Sequence, residues 1–87
     1  MLIRSQKKTL MVNMDNVASI CANNGNVVVD YVNSEHDSIA NYSTEEKAIK
    51  VLDMIQNSYQ YCEECKYTGV GASQPEFVFQ MPQESEV

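Results

Sequence analysis

The chain has 87 residues, 44% of them hydrophobic and 21% charged, with a net charge of −6 and a single arginine, Arg4. A domain of this length buries only about 60–65% of the surface its unfolded chain exposes, so one modest core is the limit and a deep walled pocket is not expected. The acidity argues against nucleic-acid binding, which needs several Lys/Arg contacts to phosphate, and no apolar run approaches the roughly 18 residues of a membrane span.

Met1 to Lys8 lacks the apolar stretch of a signal peptide. The three cysteines, Cys21, Cys62 and Cys65, fit no disulfide framework. Both features point to the cytoplasm. The charge is unevenly spread. Residues 1–14 carry Arg4, Lys7 and Lys8 and no acid, whereas residues 15–46 carry Asp15, Asp30, Glu35, Asp37, Glu45 and Glu46 and no lysine or arginine. Such a surface suits a basic protein partner.

In chain order, Leu2 to Ser5 reads as a short strand and Gln6 to Lys8 as a polar turn. Thr9 to Met14 alternates, with Leu10, Val12 and Met14 on one face. Val17 to Ala22 is the next strand. Asn23-Asn24-Gly25-Asn26 is the strongest hairpin signal, because Asn and Gly accept positive φ. Val27 to Val32 is apolar at nearly every position and reads as a central strand with both faces partly covered. Asn33 to Asp37 is a polar turn and Ser38 to Tyr42 a fifth strand.

The period then changes from two to 3.6. Ser43 with Glu46 forms a capping box, and Ala48, Val51, Leu52, Ile55, Tyr59 and Cys62 make an apolar stripe. The expected helix covers about 43–66. Residues 69–76 read as a loop, Phe77 to Met81 as a sixth strand with Phe77, Phe79 and Met81 inward, and residues 82–87 as a mobile polar tail. The expected fold is α+β, one domain over residues 1–81: an antiparallel sheet of five to six short strands packed on one long amphipathic helix.

No catalytic constellation stands out, and the chain reads as a non-enzyme without a cofactor. His36, the only histidine, lies in an acidic turn with no hydroxyl placed beside it. Glu45 and Glu46 are explained by the helix dipole. Gly69-Val70-Gly71 follows a helix instead of opening one, so it is no phosphate loop. Cys62 and Cys65 form a C-x-x-C, and a metal site completed by Cys21 and His36 is the alternative to a packed Cys62 and a helix-end Cys65. Arg4, Lys7 and Lys8 are an alternative anion site. Tyrosines beside acids are good interface material, so Asp30, Glu35, Asp37, Tyr61, Glu63, Glu64 and Tyr67 are the candidate partner-binding residues.

Three stretches carry a resemblance: Leu2-Ile3-Arg4-Ser5-Gln6-Lys7-Lys8-Thr9-Leu10-Met11-Val12-Asn13; Tyr42-Ser43-Thr44-Glu45-Glu46-Lys47-Ala48 continuing through Val51-Leu52-Asp53-Met54-Ile55-Gln56; and Phe77-Val78-Phe79-Gln80-Met81-Pro82. In these the chain resembles a group of small proteins from phages, prophages and mobile elements of Gram-positive bacteria, while residues 17–41 look particular to this protein. The resemblance implies a setting in a bacterial host cell more than a mechanism. By analogy with other small acidic phage proteins, it implies an anti-defence inhibitor, for example of the anti-CRISPR kind, acting by contact with a host protein. An oligomer that sequesters a small nucleotide is the second expectation, and a metal-stabilised interaction module the third.

Overall fold

The computed structural model describes the backbone of residues 1–68 and 77–87, and the side chains of 1–64 and 77–87. The elements are β1 (Leu2–Arg4), β2 (Met11–Asn13), β3 (Val17–Asn23), β4 (Asn26–Tyr31), β5 (His36–Asn41), α1 (Glu45–Thr68) and β6 (Val78–Gln80), with 3-10 turns at Met14–Asn16 and Glu84–Glu86. The mixed α+β class and the strand positions follow the sequence pattern. The single antiparallel sheet does not form. The strands divide into two three-stranded sheets, β2-β1-β6 and β3-β4-β5, and β6 runs parallel to β1, with Leu2 opposite Val78 and Arg4 opposite Gln80. A parallel neighbour requires a long crossover, and here that crossover contains the whole β3-β4-β5 sheet and the helix.

The β3–β4 hairpin is the local centre of the fold. Asn23 pairs with Asn26 across a two-residue turn, whose residues Asn24 and Gly25 have φ of 51° and 84°. Two successive positive φ values mark a type I′ turn, whose twist matches that of the flanking strands. The Tyr42 N–H donates to the Gly25 carbonyl at 2.8 Å, and a Cβ on Gly25 would collide with the Tyr42 carbonyl oxygen. β4 is central, as its apolar run implies. Val27 and Val29 are fully buried on the helix side, while Val28 and Asp30 are half-buried on the other. Along β5 the register shifts, so that Ser38 faces Val28 and Ala40 faces Val27. This bulge lets the consecutive Ile39 and Ala40 both enter the core.

The core joins Met1, Ile3, Val12 and Met81 from one sheet, Val27, Val29, Ile39 and Ala40 from the other, and Ala48, Val51, Ile55 and Cys62 from α1. The helix packs on β3 and β4. The apolar stripe predicts its buried face except at Tyr59, which is 42% exposed. Thr44, not Ser43, caps the helix: its Oγ1 accepts from the Lys47 N–H at 3.2 Å and its carbonyl from Ala48 at 3.3 Å. The Glu45 carboxylate accepts from the backbone N–H groups of Asn24 at 3.0 Å and Gly25 at 3.4 Å, fastening the hairpin turn to the helix start.

In place of a loose tail, residues 82–87 close over that same helix start. The buried Tyr42 hydroxyl donates to the Pro82 carbonyl at 2.7 Å, and Gln83 Nε2 donates to the Gln6 carbonyl at 2.7 Å. The Ser43 N–H meets the Glu84 carboxylate at 3.2 and 3.3 Å, and Lys47 Nζ lies 3.2 Å from Glu84 Oε1. Ser43 therefore serves the tail, which leaves Thr44 to cap the helix.

Candidate functional site

The acidic run from Asp30 to Asp37 is divided by strand alternation. Asp30 lies opposite both Ser19 and His36, on the sheet face away from the helix, and its carboxylate accepts from the Ser19 hydroxyl at 3.1 Å. Asp37 lies opposite Val29, on the helix-side face, and accepts from the Tyr31 hydroxyl at 2.7 Å. Burial, then the hydrogen bond to Asp37, then the charges of Asp37 and Glu35 push the Tyr31 hydroxyl pKa up to about 12.

The turn between β4 and β5 is tight. The Tyr31 N–H donates to the Glu35 carbonyl at 2.8 Å, the Glu35 N–H to Asn33 Oδ1 at 3.1 Å, and Ser34 sits at φ 73°. This geometry pushes Val32 outward to 70% exposure, while its N–H donates to the Asn16 carbonyl at 3.0 Å and ties the turn to the 3-10 turn between β2 and β3. An open groove of about 320 Å³ results between β2 and the β4–β5 turn. Met11, Tyr31 and Val32 supply its apolar surface and Asn13, Asn16 and Asn33 its polar surface. Met11 is 48% exposed. Tyr31, which lines the groove, carries Asp37 on its hydroxyl, and the Glu35 charge also reaches that hydroxyl.

Thus Asp37, Glu35 and Tyr31 come together, whereas Asp30 faces the other way. Tyr61 belongs to a different neighbourhood: its ring stands edge-on to Phe77, with centroids 5.7 Å apart and planes at 85°, and with Met1 and Val78 it borders an open hollow beside β6. Glu63 and Glu64 follow on the same helix, and the Tyr67 side chain lies outside the described residues. Met11, Tyr31 and Val32 are the groove residues that sequence reasoning missed. The available signal was an apolar residue at the end of a strand run followed directly by a polar turn, as at Val32-Asn33.

Among the described residues, the alternative metal set is divided between the two faces of the sheet, and the three bases face different surroundings. Arg4 Nε donates to the Lys8 carbonyl at 3.2 Å, inside a turn where Lys8 takes φ 67°, so the guanidinium braces its own loop. Lys7 borders a separate hollow with Thr9, Ser38 and Asn41. For the metal set, Cys21 faces Val28 on β3, and His36 faces Asp30 on β5, with β4 between them. Cys62 is buried in the core beneath the helix, on the far side of the sheet from the exposed Cys21. Among the described residues, no three His, Cys, Asp or Glu side chains gather where an ion would sit, and the Cys65 side chain lies outside them. Among the described residues, too, no helix is long and apolar enough to cross a membrane.

Compared with known protein families, with curated proteins and with solved structures, the chain matches none.

Proposed function

We propose that this chain is a non-enzymatic binding protein whose groove between β2 and the β4–β5 turn engages a basic partner protein. One observation carries the reading: Met11 and Val32 are held in the open beside Tyr31, whose hydroxyl is bound to Asp37. Apolar side chains next to an aromatic ring and carboxylates suit a segment that carries an apolar anchor beside a lysine or arginine. The negative charge over residues 15–46 favours encounter with a basic surface and disfavours one with phosphate. The reading as an anti-defence inhibitor rests on the mobile-element resemblance alone, and under it the partner is a host protein.

The test is affinity capture from bacterial lysate with the native chain and with a Val32→Asp, Glu35→Gln, Asp37→Asn variant. A basic protein retained by the native chain, released on raising salt and lost with the variant is the expected result. Equal retention by both, or none by either, defeats the proposal.

A further inference from the structure

We propose that the outer edge of β3 is an interface on which a second copy of this chain pairs, antiparallel and about a two-fold axis at Cys21, to give a continuous six-stranded sheet. The surface lies apart from the groove described above and the inference does not depend on it.

β3 is the longest strand, seven residues, and the first in the order β3-β4-β5, so among the described residues no strand lies beyond it. The register fixes what this edge offers. Asn23 and Asn26 close the two-residue hairpin as a hydrogen-bonded pair, and such pairs alternate along an antiparallel ladder. Cys21–Val28 and Ser19–Asp30 are therefore hydrogen-bonded pairs, while Ile20–Val29 and Ala22–Val27 are not. The backbone N–H and C=O groups of Ile20 and Ala22 thus point away from β4, toward the open edge.

The other edges are short or covered. β2 and β6 have three residues each. The outer edge of β5 is occupied by Gln6, whose N–H donates to the Ile39 carbonyl at 2.9 Å and whose Oε1 accepts from the Asn41 N–H at 2.9 Å. Exposed edges are ordinarily blunted by a lysine, a proline or an inward charge. β3 reads Val-Ala-Ser-Ile-Cys-Ala-Asn and has none of these; its one irregularity is the register shift between Val17 and Ser19.

Charge selects the occupant. Each copy carries −6 overall, yet no Asp, Glu, Lys, Arg or His occurs between Asp15 and Asp30. Like copies repel over most of their surface but not along this edge, and a basic partner gains nothing from it. The helix, which packs on β3 and β4, adds apolar area above the sheet. Glu45 marks the flank of α1 that faces the β3–β4 turn, and helical spacing places Ile49, Leu52 and Tyr59 on that flank. Ile49 is 49% and Tyr59 42% exposed. Edge pairing alone is smaller than a standard interface; two such flanks meeting across the joined sheet supply the apolar remainder, in the self-complementary way a two-fold contact requires.

The register follows from the strand itself. The regular part of β3 runs from Ser19 to Asn23, whose centre is Cys21. Pairing about that centre sets Ile20 against Ala22 of the second copy in hydrogen-bonded pairs, and Cys21 against Cys21 as a non-hydrogen-bonded pair. In that arrangement the two Cα atoms are about 4.5 Å apart, within the span of a disulfide.

Sedimentation velocity of the full chain under reducing conditions, over a concentration series, should give a mass that rises from monomer to dimer. Ala22→Pro removes an outward N–H without touching the β4 ladder, and Ile49→Lys alters only the exposed helix flank. Each should weaken dimerisation at least tenfold with an unchanged far-ultraviolet circular dichroism spectrum. Oxidised glutathione should then trap a covalent dimer, and Cys21→Ser should abolish it. A monomer at every concentration overturns the proposal, as does a dimer that both Ile49→Lys and a folded Ala22→Pro leave intact. A dimer that oxidation does not link through Cys21 overturns the pairing about that residue.

Discussion

Gly25 is the residue at which backbone conformation and close contact coincide. Its φ is +84°, and the space a Cβ would take is filled by the Tyr42 carbonyl. Gly25→Ala therefore adds a left-handed strain of about 1–2 kcal/mol to a steric displacement of β5, for a total loss of more than about 2 kcal/mol. At about 4–8 °C per kcal/mol for a domain of this size, thermal melting should fall by at least about 8 °C; a melt within about 2 °C of the native chain would contradict this account. The turn itself was legible, since Asn24-Gly25 announces a type I′ hairpin. The contact with Tyr42 was not, because it joins residues 17 positions apart in sequence through a fold that local pattern does not encode. The tyrosines behave similarly. Tyr31 is raised to about 12 by burial, then by Asp37 and Glu35, and Tyr42 to about 12 by burial, then by Glu84 and Glu86. A raised folded-state value means the neutral hydroxyl contributes stability fully below the ordinary tyrosine value of about 10, lost as pH rises through about 12. Absorbance titration at high pH should place Tyr31 and Tyr42 among the late-titrating tyrosines, and Tyr31→Phe should remove one late transition. Titration of Tyr31 near pH 10 would mean that the Asp37 contact does not persist in solution.

For the elements, the helix shows what a local signal can and cannot specify. Its start is displaced by a single residue from the expected cap, and its buried stripe is legible because side chains three and four apart share a face. Ser43 and Thr44 are both competent caps by type. The choice between them is made by Glu84, more than 40 positions away, which takes the Ser43 N–H. A carboxylate in a polar C-terminal stretch carries no sign of its partner, so those residues read as a tail. Hydrogen bonds from Ser43, above all, with Lys47 assisting, hold the Glu84 carboxyl below its usual value against a desolvation that raises it. With a lowered folded-state value, the stabilising contribution is present above the ordinary glutamate range and is lost as pH falls through the lowered value. Glu84→Gln should therefore be less stable than the native chain at pH 7, and the gap in urea midpoint should close in acid. A gap equal at both pH values would show that the Glu84 charge plays no part in holding the C-terminal residues.

The whole molecule is unequal in its parts, and the inequality has a kinetic consequence. The β3-β4-β5 sheet has strands of seven, six and six residues and lies under the helix. The β2-β1-β6 sheet has three strands of three residues, one of them recruited from beyond the helix. That division was not legible because Leu2–Arg4 and Val78–Gln80 are too short to show their orientation, and nothing local distinguishes a parallel from an antiparallel neighbour over three residues. Beyond the core they share, the two sheets are joined by hydrogen bonds where their ends meet. The Tyr42 hydroxyl, following β5, donates to the carbonyl of Pro82, following β6, at 2.7 Å, and Gln6 Nε2 reaches the same carbonyl at 3.4 Å. Tyr42 is 3% exposed, so losing its hydroxyl leaves the buried Pro82 carbonyl with only the long Gln6 contact, at a cost of about 1–3 kcal/mol. Because local opening is set by the weakest cooperative unit, Tyr42→Phe should fall mainly on the small sheet. Amide exchange of Ile3, Phe79 and Met81 should accelerate about 5- to 150-fold, converted from that range, while Val27 and Val29 keep most of their protection. Uniform acceleration across both sheets would mean that the molecule opens as one unit and that the Tyr42–Pro82 contact is no hinge between them.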